Sequence, residues 1–144
     1  MRILYGVSGE GYGHASRAIV ITKYLEKKGH RVKILTYGKG YEVLKKGFDV
    51  LKIEGMYLAF DDGSLKVGKT IFFNATKFIK NFFRFKMKEF EKLIADFKPD
   101  LCISDMEPIV PNLSYWNKIP LISFDNMHSI TNASINFPSN YIKD

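Results

Sequence analysis

Apolar residues along the chain follow two periods, one typical of buried strands and one typical of helices. Short apolar or β-branched runs recur between turn residues, and the stretches between them carry apolar residues at helical spacing. The runs predict five strands, at Arg2–Val7, Arg31–Thr36, Phe48–Ile53, Asp100–Ser104 and Pro120–Phe124. The stretches between them predict helices at His14–Lys28, Gly38–Lys46, Thr70–Phe97 and Pro108–Trp116.

This alternation of strands and helices indicates an α/β fold. Strands that are apolar on both faces are typical of a parallel sheet covered by helices. With right-handed crossovers, the order predicts a doubly wound, Rossmann-like parallel sheet with strand order 3-2-1-4-5. We expect residues 1–144 to form this single domain. Such sheets bind ligands at the carboxyl ends of the strands where the order reverses, here between strands 1 and 4.

Composition and the absence of targeting segments indicate the class of protein and its compartment. The chain is 46% hydrophobic and 26% charged, which is typical of a folded protein. It has no signal-peptide layout and no apolar run near the roughly 18 residues of a membrane span, which predicts a cytoplasmic protein. Cys102 is the single cysteine and lies in an apolar run, so we expect a buried thiol. The three histidines are scattered and predict no metal site.

A glycine-rich loop follows the first strand. Gly9, Gly11 and Gly13 allow positive φ angles and a close approach of the backbone to a ligand, and the helix that begins near His14 directs free N–H groups to the same place. A tight turn without a ligand is the simpler alternative. The dinucleotide fingerprint G-x-G-x-x-G does not fit, because His14 stands at its third glycine and no carboxylate ends the second strand.

Polar residues follow two further strands, and in a parallel sheet they share an edge with this loop. Asp105 and Glu107 follow strand 4, whereas Asn126 and His128 follow strand 5. Histidine suits general-base catalysis near neutral pH, and a carboxylate such as Asp105 can fix its tautomer. Other interpretations remain open: His14 filling the helix start, Asp105 capping the next helix, and His128 lying on the surface.

Three stretches resemble GT-B glycosyltransferases, nearest to the group around MurG and related archaeal and bacterial glycosyltransferases. The first is Gly9-x-Gly11-x-Gly13-His14-x-x-Arg17 behind the first strand. The others are Pro99–Pro108 and Ile119–His128, which resemble the fourth and fifth strands of that fold with their polar ends. The resemblance covers roughly residues 1–130.

The resemblance implies the N-terminal, acceptor-binding half of a GT-B glycosyltransferase. Such an enzyme transfers a hexosyl group from a nucleotide-sugar to an acceptor hydroxyl, which in MurG-like proteins is lipid-linked, without another cofactor or a metal. It implies His14 and Asp105 as catalytic residues. The expected substrate-binding residues are Gly9, Glu10, Gly11, Gly13, Arg17, Glu107, Asn126 and His128. The family's donor-binding Rossmann-like domain has no room within 144 residues, so we expect a second domain or subunit and no activity without it.

A second phosphate-binding motif competes with this interpretation. Gly63–Thr70 fits the P-loop pattern G-x-x-x-x-G-K-[ST], which would make the chain an NTP-binding protein. Leu65, Lys66 and Val67 fit poorly in a phosphate cradle, because its backbone amides must turn inward. Asp61 and Asp62 would also repel the phosphates. We therefore favour a turn followed by a helix start.

The predicted helix Thr70–Phe97 is unusually aromatic and basic. Residues 66–92 contain eight basic and two acidic residues, so much of the net charge of +7 is local. Its apolar arc is wider than one sheet contact needs. It is either a core helix covered on two sides or, through Phe72–Phe90, a contact with a membrane surface or a partner. A non-catalytic membrane-recruiting subunit therefore stays open. No nucleic-acid recognition motif is present, and we expect no nucleic-acid partner.

Overall fold

The computed structural model of the chain describes residues 1–54, 60–61, 64–65 and 87–124. The strands in these ranges are β1 (Arg2–Val7), β2 (Arg31–Thr36), β3 (Val50–Lys52), β4 (Phe60–Asp61), β5 (Ser64–Leu65), β6 (Leu101–Asp105) and β7 (Leu121–Ser123). The helices are α1 (Gly13–Lys27), α2 (Gly38–Leu44), α3 (Met87–Phe97) and α4 (Ile109–Asn117). The rest of the predicted helix Thr70–Phe97 lies outside the described residues, as do most of Phe72–Phe90 and both Asn126 and His128.

Five parallel strands form the main sheet in the order β3-β2-β1-β6-β7. This confirms the predicted order 3-2-1-4-5 of a doubly wound sheet. The order reverses between β1 and β6, where Val7 pairs with Asp105. The carboxyl ends of these two strands therefore form the edge at which such sheets bind ligands.

Alternate residues of the central strands feed two separate cores, one on each face of the sheet. Ile3, Tyr5 and Val7 are buried against α1, whereas Leu4 and Cys102 are buried with residues of α3 and α4. Successive side chains of a strand point to opposite faces, so a strand buried on both faces must be apolar throughout. This double burial explains why the central strands contain almost no polar residues before their carboxyl ends.

Several element boundaries differ from the predicted ones. Strand β3 begins at Val50 rather than Phe48, because the Phe48 N–H donates to the Leu44 carbonyl at 3.2 Å and continues the turn that ends α2. Helix α4 extends to Asn117 and ends where Lys118 adopts a left-handed conformation with φ 54°. The apolar pattern locates each element, and local hydrogen bonds decide its last residues.

The described part of the competing P-loop motif lies in an antiparallel strand pair. Ser64 pairs with Asp61 and Leu65 pairs with Phe60 in a separate two-stranded sheet. A phosphate cradle requires these positions as a loop between a parallel strand and a helix. The antiparallel pairing of Ser64 and Leu65 therefore disfavours a nucleotide site at these positions.

Candidate active site

The loop between β1 and α1 lies directly on the carboxyl end of β6. The Ser8 N–H donates to the Asp105 carbonyl at 2.9 Å, and the Glu10 N–H approaches the Ser8 hydroxyl at 3.4 Å. The Ser8 hydroxyl also lies 3.3 Å from the buried Tyr37 hydroxyl that follows β2. The start of the loop is therefore fixed to two neighbouring strands, and α1 begins beside the end of β6.

One turn of α1 places two side chains on Asp105. His14 Nδ1 lies 2.9 Å from Asp105 Oδ1. Arg17 donates from Nε to Oδ2 at 3.0 Å and from Nη2 to Oδ1 at 2.6 Å. His14 and Arg17 are three residues apart, which puts both on one face of the helix. The structure thus brings three of the predicted site residues into one cluster.

The surroundings of Asp105 determine where the proton of His14 lies. Asp105 is 0% exposed, and Arg17 grips its carboxyl group with two hydrogen bonds, the arrangement expected for a buried carboxylate. A carboxylate oxygen accepts hydrogen bonds only, so a hydrogen bond between it and His14 Nδ1 requires the hydrogen on Nδ1. This tautomer leaves the lone pair on His14 Nε2. The side chain of His14 keeps 20% of its surface exposed, so the imidazole is not sealed in the core.

Arg17 and Tyr5 complete the electrostatic surroundings of Asp105. The hydrogen bonds to Asp105 raise the pKa of the Arg17 guanidinium above its ordinary value, although burial opposes this. Tyr5 lies beneath the cluster with its hydroxyl buried and without a hydrogen-bond partner. Burial raises the pKa of Tyr5, and the nearby Asp105 raises it further. Tyr5 is not among the predicted site residues. Its hydroxyl group within the apolar run Ile3–Val7 is the one feature of the sequence that could have indicated it.

Two of the three loop glycines have open space where a side chain would begin. A Cβ on Gly9 would overlap the carbonyl group of Tyr37, so this glycine allows the loop to pack against the start of α2. Gly11 has φ +78°, which L side chains rarely adopt, and a Cβ there would meet no atom within 4 Å. A Cβ on Gly13 would also meet no atom within 4 Å. Gly9 therefore serves the packing of the loop and Gly11 its backbone conformation, whereas the space above Gly11 and Gly13 is open.

Glu107 lies near the cluster in sequence, but its carboxyl group binds the start of α4. Its Oε1 accepts from the Ile109 N–H at 2.7 Å and its Oε2 accepts from the Val110 N–H at 2.9 Å, so it caps the start of α4. The side chain is 1% exposed, and burial raises its pKa to about 7. A Cβ on Gly6 would lie 2.5 Å from Glu107 Oε2, so that strand position needs a glycine.

Exposed aromatic and basic side chains flank the cluster. The Arg17 guanidinium carbon lies 5.0 Å from the ring centre of Phe124, the residue after β7. On the other side, Lys39 Nζ lies 5.4 Å from the ring centre of Tyr12. Glu10 is exposed beside Tyr12. Within the ranges that the structure describes, no three His, Cys, Asp or Glu side chains are grouped to hold a metal ion.

Comparisons with known proteins identify the family of this chain. The sequence family described as glycosyl transferase family 1 matches residues 1–144. An uncharacterized glycosyltransferase of Methanosarcina acetivorans is 34% identical over 107 residues, and one of Methanosarcina mazei is 33% identical over 113 residues. Each match covers 73% of this chain and 27% of the relative, so the chain spans about a quarter of the length of these curated relatives.

Solved structures show the same fold at low sequence identity. The glycosyltransferase VinC, in complex with DTDP, matches with a TM-score of 0.57 at 16% identity, over 87% of this chain and 34% of VinC. The spinosyn rhamnosyltransferase SpnG, complexed with thymidine diphosphate, matches with a TM-score of 0.59 at 16% identity, over 87% of this chain and 34% of SpnG. The described sheet is therefore one half of a GT-B fold, and the chain belongs to glycosyl transferase family 1.

Proposed function

We propose that this chain is the acceptor-binding half of a glycosyltransferase and supplies the general base of the transfer. The reaction moves a hexosyl group from a nucleotide-sugar to an acceptor hydroxyl. One observation carries the proposal: the 2.9 Å contact between His14 Nδ1 and the fully buried Asp105. This pairing leaves Nε2 of His14 as a free base at the edge of the sheet where such folds bind ligands.

The proposed step uses the lone pair of His14 Nε2. Nε2 takes the proton of the acceptor hydroxyl while its oxygen forms a bond to the anomeric carbon of the donor sugar. The bond from that carbon to the donor phosphate breaks, and the nucleoside diphosphate leaves with the electron pair. Asp105 stabilises the imidazolium through Nδ1–H, and the proton then passes to solvent. Asp105 need not take up a proton itself.

The donor is held by a second Rossmann-like domain or subunit in this proposal. The described strands form one Rossmann-like sheet, and the chain spans about a quarter of the length of its curated relatives, which supports a separate donor-binding half. Exposed side chains beside the cluster, Tyr12, Lys39 and Phe124, support an acceptor with both apolar and anionic parts. A lipid-linked, MurG-like acceptor at the cytoplasmic face of a membrane has that chemistry. Phe72–Phe90 would then contact the membrane surface.

The location of the protein is part of the same proposal. In the part of the chain that the structure describes, no helix has the length and apolar character to cross a membrane. We propose a peripheral attachment, with aromatic and basic side chains at the headgroup level. Co-sedimentation with anionic vesicles but not with neutral ones would support it.

The test is a screen of nucleotide-sugars with the chain joined to a donor-binding half. A chimera with a Methanosarcina relative, in which this chain replaces the matching segment, supplies that half. Release of the nucleoside diphosphate measures turnover. His14→Gln is expected to lower kcat by about 10²- to 10⁴-fold, the usual contribution of a general base. His30→Gln is the matched control, because its ring lies at the opposite end of the sheet beside the amino terminus.

The chain alone provides a second comparison. Without a donor-binding half, we expect no sugar transfer at any donor concentration. Robust turnover by the isolated 144 residues would contradict the half-site proposal. Equal turnover of the wild-type chimera and its His14→Gln variant would contradict the role of the base.

A further inference from the structure

We infer that Arg17 is a positioning residue that fixes the orientation and tautomer of the His14 imidazole by holding Asp105. The inference rests on the proposed role of His14 as the base. Resemblance alone implies that Arg17 binds substrate, but its Nε–Nη2 edge is occupied. That edge of a guanidinium is the one that binds a carboxylate or phosphate with two hydrogen bonds, and here it binds Asp105.

The three side chains share one oxygen atom. Asp105 Oδ1 accepts from His14 Nδ1 at 2.9 Å and from Arg17 Nη2 at 2.6 Å. His14 Nδ1 and Arg17 Nη2 consequently lie only 3.1 Å apart. With Nδ1 protonated, both nitrogens donate to the same oxygen, and their short separation follows from that shared acceptor. Arg17 therefore fixes the oxygen to which His14 is oriented.

Arg17 has a second contact, with the ring of Phe124. Its guanidinium carbon lies 5.0 Å from the ring centre of Phe124, so Arg17 connects α1 with the ends of both β6 and β7. A residue that had to reach a substrate would keep its planar group free. Arg17 is instead held by its two hydrogen bonds to Asp105 and by its contact with the Phe124 ring. Its side chain is 34% exposed.

The experiment is a measurement of the His14 tautomer by ¹⁵N nuclear magnetic resonance in the 144-residue chain. The His14 signals are assigned by their loss in His14→Gln, which separates them from those of His30 and His128. In the wild-type chain at neutral pH, the inference requires hydrogen on Nδ1 and none on Nε2. The opposite tautomer would overturn it without any variant.

Arg17→Gln removes the fork that holds Asp105. We expect the His14 ring of this variant to lose its single tautomer, with part of the hydrogen on Nε2, because Asp105 Oδ1 is no longer fixed. Arg17→Lys keeps the charge but cannot form the two-bond fork, so it should restore the wild-type tautomer only in part. Arg2→Gln is the matched control: it removes the same charge from the half-exposed Arg2–Asp100 pair and should leave the His14 tautomer unchanged. A single Nδ1–H tautomer retained in Arg17→Gln would overturn the inference.

The same variants in the chimera separate this inference from the proposed function. With Arg17→Gln, kcat should fall while the KM for the acceptor stays close to the wild-type value, whereas loss of a substrate-binding residue would raise the KM. If no donor supports turnover by the wild-type chimera, the proposed function fails. The resonance measurement then still decides the role of Arg17.

Discussion

Two carboxyl groups two residues apart have different uses at the end of β6. Asp105 faces His14 and Arg17 of α1, whereas Glu107 faces the backbone N–H groups that begin α4. Met106 separates them in a left-handed conformation with φ 52°, which redirects the chain between the two. The left-handed conformation is costly for a residue other than glycine, and it persists where the surrounding contacts hold the residue in place. Here those contacts are the ion pair on one side and the helix cap on the other.

Glu107 gives the stability of the fold a dependence on pH. Burial raises its pKa from the ordinary 4.5 to about 7, so between these values the folded chain binds more protons than the unfolded chain. Its contribution to the free energy of unfolding is therefore fully present below pH 4.5 and falls as the pH rises to about 7. The loss is up to about 3 kcal/mol.

Urea unfolding of the wild-type chain and of Glu107→Gln between pH 4.5 and 8 measures this contribution. The variant should be the less stable at pH 4.5, because its amide can accept only one of the two N–H groups of α4. The stability of the wild-type chain relative to the variant should then fall as the pH rises to about 7 and stay constant above it. A difference that is constant or grows across this range would contradict the assignment.

At the scale of the elements, helix endings carry strain that the sequence does not reveal. Lys98 after α3 and Lys118 after α4 have φ 46° and 54°, positions at which glycine is common. After helix α1, whose last residue is Lys27, the left-handed position is Gly29 with φ +80°, and a glycine adopts it without strain. The sequence therefore marks the end of α1 directly, whereas it marks the end of α4 only through the apolar run that follows.

Lys118→Gly is expected to raise the free energy of unfolding by about 1 kcal/mol, because glycine adopts the left-handed conformation without steric cost. Thermal or urea unfolding checks the change. Lys28→Gly is the matched control, since Lys28 also caps a helix but has φ −84°. A gain of equal size in both variants, or a loss in Lys118→Gly, would contradict the argument.

The elements were predictable from sequence to different degrees. Strand order followed from apolar runs separated by helical periods, because connection handedness leaves few alternatives. The meeting of His14 and Asp105 followed from topology, since α1 begins just after β1 and Asp105 ends the neighbouring strand β6. The hold of Arg17 on Asp105 and the cap formed by Glu107 did not follow, because they depend on side-chain direction at one turn. The resemblance implied catalysis for Asp105 and substrate binding for Glu107, but no feature of the sequence pointed to Glu107 as the helix cap.

At the scale of the molecule, the described fold places one cluster at one edge of one sheet. The sheet order puts β1 and β6 at its centre, and α1 carries His14 and Arg17 to the same edge. GT-B glycosyltransferases contain two Rossmann-like halves, and this chain spans about a quarter of its curated relatives. The account therefore proposes a complete base and an incomplete active site, which a donor-binding half would complete.

The most direct test of this account is a double-mutant cycle on His14 and Asp105 in the chimera. The measured quantity is kcat/KM for His14→Gln, for Asp105→Asn and for both together, with unfolding measured alongside to show that each variant is folded. If Asp105 acts only through His14, the double variant should be no slower than His14→Gln alone, because residues that act as a unit are not additive. Losses that multiply, or a His14→Gln variant as fast as the wild-type protein, would contradict the central claim.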